Sequence, residues 1–135
     1  MSVEGDLLRQ YHTLVVVGLS SDPAKPSNSV SEYMLSQGYR IIPVNPDEDE
    51  VFGLKAYPDI ASVPGPIDFV NVFRRPQFCA DVARDAVKAG AKVIWLQLGI
   101  RSPEARQIAE EAGLTYVEDR CVLIEHRSAG IGPVA

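Results

Sequence analysis

Short β-branched apolar runs alternate with amphipathic stretches along this chain, and that alternation constrains the fold more than any other feature. Thr13–Val17 reads Thr-Leu-Val-Val-Val and stops at Gly18; comparable runs follow at Arg40–Val44, 68–73, 92–98 and 114–117. An uninterrupted apolar run of four to eight residues is the mark of a strand buried on both faces, as in a parallel sheet. Between the runs, residues recur at the spacing of one helical face: Val30, Tyr33, Met34 and Gln37, then Cys79, Val82, Ala83, Ala86 and Val87, then Ala105, Ile108, Ala109 and Ala112.

The punctuation agrees with the periodicity. Ser29 and Glu32 have the spacing of a capping box, with Ser27 as an alternative cap. Pro76 and Pro103 stand where a first helical residue is expected. Gly38, Gly90 and Gly113 each close a helix a few residues before the next strand. The segment 47–66 is different, being rich in Pro, Gly and acids; it reads as an irregular crossover with one short helix near Ile60, Ala61 and Ser62. The expectation is one α/β domain over residues 1–135: a Rossmann-like, doubly wound sheet of five parallel strands with right-handed crossovers. Numbered in chain order, the strands are expected in the order 3-2-1-4-5.

Composition narrows the function classes. The 135 residues carry 13 basic and 18 acidic side chains, a net charge of −5, which excludes a basic nucleic-acid footprint spread over the whole surface. Hydrophobic residues make up 46%, enough for a real core. The apolar runs are far too short to span a bilayer, and the acidic opening Ser2-Val3-Glu4-Gly5-Asp6 lacks the basic start of a signal peptide. Two cysteines, Cys79 and Cys121, make neither a disulfide framework nor a four-cysteine zinc site. A cytoplasmic protein with reduced thiols is expected, binding a small molecule rather than nucleic acid or membrane.

In a doubly wound sheet, ligands bind beyond the carboxyl ends of the strands, at the point where the strand order reverses. The residues just after each strand are therefore the candidates. After the first strand come Gly18, Leu19, Ser20 and Ser21, then Lys25, Pro26 and Ser27. Gly18 permits a sharp turn and close approach of the backbone, the serines offer hydroxyls, and the following helix N-terminus suits a phosphate. Asn45 and Pro46 follow the second strand; Phe73, Arg74, Arg75 and Pro76 follow the third, where a ring and two guanidinium groups suit an adenine and a phosphate. Gln97, Leu98 and Gly99 follow the fourth, with Leu98 placed to floor an apolar groove. Lys25, Arg74, Arg75 and Arg101 would make a local positive patch on a negative body. Cys121 stands near the cleft after the last strand, whereas Cys79 and Trp95 read as packing. His12 and His126 have neither triad nor metal-ligand spacing around them, and the run Asp47-Glu48-Asp49-Glu50 reads as a solvated face.

A redox dinucleotide fits poorly. The first loop has one glycine instead of the three of the dinucleotide fingerprint, and no Gly-Lys-Ser/Thr triplet occurs. Asn45 stands where an NAD site wants an acid at the end of the second strand, although Asp47 is close by.

Taken in order, several stretches carry a family resemblance: Val15-Val16-Val17-Gly18-Leu19-Ser20, Pro23-Ala24-Lys25-Pro26-Ser27, 38–46, Val72-Phe73-Arg74-Arg75-Pro76, 91–99 and Glu118-Asp119-Arg120-Cys121. Together they resemble the small coenzyme A-binding proteins of Rossmann-like fold. They are more distantly similar to the CoA-binding domain of the succinyl-CoA synthetase α-subunit. The likeness runs from about Tyr11 to Arg127. It implies CoA, free or acylated, in the crevice. The loop from Gly18 to Ser27 would hold the pyrophosphate, and Asn45, Pro46 and Phe73 to Pro76 would line the adenosine and 3′-phosphate region. Leu98 and Gly99 would flank the other side. The synthetase's phosphohistidine chemistry belongs to another domain, so a binding or regulatory module without chemistry of its own is expected. The alternatives are an NAD(P)- or other nucleotide-dependent enzyme, motivated by the fold alone, and thiol exchange between CoA and Cys121.

Overall fold

The computed structural model describes residues 2–134. Five strands form one parallel sheet: β1 (Thr13–Val17), β2 (Arg40–Val44), β5 (Phe69–Val72), β6 (Val93–Leu96) and β7 (Thr115–Val117). Between β2 and β5 lies a small antiparallel pair, β3 (Glu50–Val51) and β4 (Leu54–Lys55), then a 3-10 turn at Ile60–Ser62 where a short helix is expected. The helices are α1 (Val3–Gln10), α2 (Pro26–Ser36), α3 (Pro76–Lys88), α4 (Pro103–Glu111) and α5 (Val122–Ser128).

Within each strand, alternate side chains enter different layers. Leu14 and Val16 of β1 join Phe69, Val93 and Trp95 in a core closed by residues of α1, α2 and α5, including Leu8, Met34 and Val122. Val15 and Val17 join Val70, Val72, Ile94 and Leu96 against α3 and α4, through Cys79, Ala83, Ala105 and Ala109. Trp95 is fully buried and donates its indole N–H to Arg120 O at 2.8 Å, so its one polar atom is satisfied.

The strand order differs from expectation. The sheet runs β2-β1-β5-β6-β7, so in chain order the five strands stand 2-1-3-4-5, not 3-2-1-4-5. The reason lies in segment 47–66. Its Ile60, Val63 and Ile67 pack in the α3/α4 core, on the face opposite α2. A right-handed crossover leaving β2 on that face must pass back over β1. The third strand therefore pairs with the free edge of β1, with Val15 opposite Val70 and Val17 opposite Val72.

Helix starts also correct one reading. α2 begins at Pro26 with Lys25 as N-cap and no side-chain cap, so the Ser29/Glu32 capping box is not used, nor is Ser27 a cap. Proline at N1 sets the start; Ser29 Oγ instead donates to Pro26 O at 3.4 Å, and Ser27 Oγ faces the preceding loop. Pro76 and Pro103 do open α3 and α4, the latter capped by Ser102 Oγ accepting from Ala105 N–H at 3.1 Å. Helices α1 and α5 lie in segments the sequence pattern left as termini. No helix among the described residues is long and apolar enough to cross a membrane.

Candidate functional site

The observed order places the switch point between β1 and β5. The loop after β1 leads to α2 on one face; the loop after β5 leads to α3 on the other. These two loops part over a crevice. They also touch at their bases. Gly18 has φ +90°, and a Cβ there would collide with the Phe73 carbonyl. Gly18 N–H donates to Val44 O at 2.8 Å and Phe73 N–H to Val17 O at 2.8 Å, so both loops leave the sheet from a ladder that is still hydrogen-bonded.

A cavity of about 960 Å³ opens above this point, within the size range of small-molecule and cofactor sites. Eleven of the fourteen residues expected there line it: Gly18, Ser20, Lys25, Pro26, Ser27 and Asn45 on one side, and Phe73, Arg74, Arg75, Pro76 and Leu98 on the other. The remaining three do not. Leu19 is 0% exposed and belongs to the core under α2. Pro46 is exposed outside the cavity. Gly99 donates its N–H to Asp119 Oδ1 at 2.7 Å and turns away. Leu98 does not floor a groove, because it is 62% exposed on the rim; the buried wall on that side is Gln97, 3% exposed, whose amide donates to Asn71 Oδ1.

The positive patch is smaller than expected. Lys25, Arg74 and Arg75 line the cavity and make no ion pair among the described residues. The Arg74 guanidinium lies 4.5 Å from the centre of the Phe78 ring, a cation–π contact that orients it. Arg101 is elsewhere. It is paired to Asp119 at 2.6 Å and to Glu118 at 3.2 Å, outside the cavity. The backbone N–H of Gly99, together with Arg101, holds the Asp119 carboxyl below its ordinary value.

Further residues line the cavity: Phe78 from the first turn of α3, Val30 from the second turn of α2, and Ile100 and Glu48. Phe78 stands four residues beyond Arg74 and meets it in the contact just described. Glu48, in a run that read as a solvated face, reaches back to accept the Ser21 N–H at 2.7 Å. Asn45 braces the same loop from the same turn, donating to Leu19 O at 3.1 Å and accepting from Asp47 N–H at 2.9 Å. Of the two thiols, Cys121 lines the cavity at 8% exposure, whereas Cys79 is 0% exposed in the core under α3. Burial pushes the Cys79 thiol up to about 11, against the opposing effect of Arg74.

A five-stranded Rossmann-like sheet with a cation-bearing crevice at its switch point defines the class, and the comparison with known families agrees: residues 12–127 match the CoA-binding domain family, to which the chain belongs. Among individual relatives, it is 41% identical over 121 residues to the uncharacterized protein YneT of Bacillus subtilis, covering 90% of each. It is 27% identical over 129 residues to the alpha subunit of an ADP-forming acetate–CoA ligase II of Pyrococcus furiosus, covering 87% of this chain but 28% of that longer subunit. A solved structure of a hypothetical protein from Pyrococcus horikoshii superposes with a TM-score of 0.90 at 35% identity, covering 96% of both chains.

Proposed function

We propose that this protein binds coenzyme A, free or acylated, in the crevice between the loops after β1 and β5, as a binding or regulatory module. One observation carries the reading: three cations, Lys25, Arg74 and Arg75, stand without ion-pair partners around a cavity of about 960 Å³ on a chain of net charge −5. Unpaired cations converging on one cleft favour a polyanion there. Ser20, Lys25 and Ser27 flank the proposed pyrophosphate position. Asn45, with Phe73, Arg74 and Arg75, flanks the adenosine and its 3′-phosphate, and Phe78 and Leu98 give the pantetheine arm an apolar rim. Membership of the CoA-binding domain family supports the choice of ligand. The missing glycine fingerprint argues against a redox dinucleotide.

Calorimetry with CoA and dephospho-CoA tests this directly. CoA binds, and dephospho-CoA binds about tenfold more weakly if an arginine forms a charge-assisted contact with the 3′-phosphate. Equal affinity for the two removes that role from Arg74 and Arg75. Binding of NADH with no CoA binding overturns the assignment altogether.

A further inference from the structure

The loop after β1 has few backbone donors left for an anion, and how they are used singles out one residue. Gly18 N–H is taken by Val44 O, and Ser20 N–H by Ser27 Oγ at 3.1 Å. Asp22 N–H is taken by Ser20 Oγ at 3.0 Å, Ala24 N–H by Asp22 Oδ1 at 2.9 Å, and Lys25 N–H by Asp22 O at 3.1 Å. Each of those partners belongs to the loop itself, to its helix or to the sheet it leaves. Ser21 N–H differs. Its partner is the Glu48 carboxylate, 27 residues away at 2.7 Å, on a side chain that also lines the cavity. Glu48 makes no ion pair with Lys25 or with any other cation among the described residues. Ser21 stands beside the lining residue Ser20, just outside the lining, and the Glu48 side chain runs from the cavity to its N–H, a charged acceptor reaching in from the turn after β2.

We infer that Glu48 acts as a placeholder anion beside the β1–α2 loop: its carboxylate stands in the cavity on the Ser21 N–H at the cavity's edge, and a phosphate entering there must displace it, so Glu48 lowers affinity for phosphate-bearing ligands. The inference rests on the CoA reading above. Two anionic oxygens compete for one N–H, and a like charge in the same cavity repels the incoming phosphate. The turn after β2 thus has two opposed parts: Asn45 braces the loop for binding, and Glu48 holds its free donor until a stronger anion arrives.

Glu48→Gln, which keeps the acceptor and removes the charge, is expected to tighten CoA binding about three- to tenfold, with the gain shrinking at high salt. In the unliganded protein, Glu48→Ala is expected to speed amide hydrogen exchange at Ser21, and saturating CoA to slow it again in the variant. If Glu48→Gln leaves CoA affinity unchanged or weakens it while wild type binds CoA, the placeholder role is overturned and the CoA reading stands. If wild type does not bind CoA, both fall. Ser21 exchange that is the same in wild type and Glu48→Ala also overturns the placeholder.

Discussion

Two arginine sites at the carboxyl rim of the same sheet have opposite fates. Arg74 and Arg75 follow β5, Arg101 follows β6, and all three precede a proline-started helix. The first two face the cavity without ion-pair partners; Arg101 is locked to Asp119 and Glu118 on the far side of its loop. The difference is what surrounds them. Beyond β5 the neighbours are the β1 loop and the Phe78 ring, neither of which offers a carboxylate to Arg74 or Arg75. Beyond β6 the neighbour is the Glu118–Asp119 turn after β7, which satisfies Arg101 within the protein. A charge at a strand end is available to a ligand only when the fold has not already paired it.

The two rims also differ in how tightly their backbones meet, and glycine substitutions should separate them most sharply. Gly18 (φ +90°) and Gly99 (φ +83°) both sit in the left-handed region, but only at Gly18 would a Cβ meet neighbouring backbone; around Gly99 nothing lies within 4 Å. Gly99→Ala is expected to cost about 1 kcal/mol, the conformational penalty alone. Gly18→Ala adds displacement of the Phe73 carbonyl and should cost about 3 kcal/mol in urea unfolding, while weakening CoA binding by widening the crevice. Equal losses at the two glycines would mean that the β1 and β5 loops do not pack as one unit.

Single arginine truncations come next in size. Arg74→Ala or Arg75→Ala is expected to weaken CoA binding about tenfold, ~1.4 kcal/mol, the loss of one charge-assisted contact to phosphate. Arg101→Ala should change it less than about twofold, since an exposed, already paired charge outside the cavity has little to give. Calorimetry on the three variants checks both halves, and a large loss at Arg101 would move the site toward β7.

The same contrast shows what the sequence could convey. The five strands were readable because Thr13–Val17 and its counterparts are β-branched apolar runs, three of them preceded by a helix-closing glycine (Gly38, Gly90, Gly113), a local signal. Their order was not, because it depends on which face the 47–66 segment crosses, and that is settled by Ile60, Val63 and Ile67 finding the α3/α4 core. The error mattered for the site. An order of 3-2-1-4-5 would part the loops after β1 and β6 and make Leu98 and Gly99 central; the observed order brings Phe73 and Arg74 against Gly18 and leaves Leu98 on the rim. Strand-end logic still found most of the cavity, since every loop after a strand of a parallel sheet emerges on one edge. It missed Phe78, in the first turn of α3, and Glu48, whose hydrogen bond spans 27 residues and leaves no periodic trace. The pairing of Arg101 was hidden for the same reason: Glu118 and Asp119 become its neighbours only through the β6–β7 register, with Trp95 opposite Val117.

The smallest effect concerns that far rim. Asp119 adopts φ +55° and is held there by accepting from Gly99 N–H at 2.7 Å and pairing with Arg101. Both contacts favour the charged form, so its carboxyl titrates below the ordinary value of 3.8. A carboxyl depressed by folding contributes stability that is present above its unfolded value and lost as pH falls through the folded one. Asp119→Asn should therefore be slightly less stable than wild type at neutral pH, with the gap between their melting temperatures closing below about pH 4. CoA binding at neutral pH should be the same in both, because this carboxylate serves Arg101 and Gly99 rather than the cavity. A gap that persists unchanged at low pH would show that the turn is held by its backbone alone; a loss of CoA binding would show that the two rims are coupled, and the separation drawn between the arginine sites would fail.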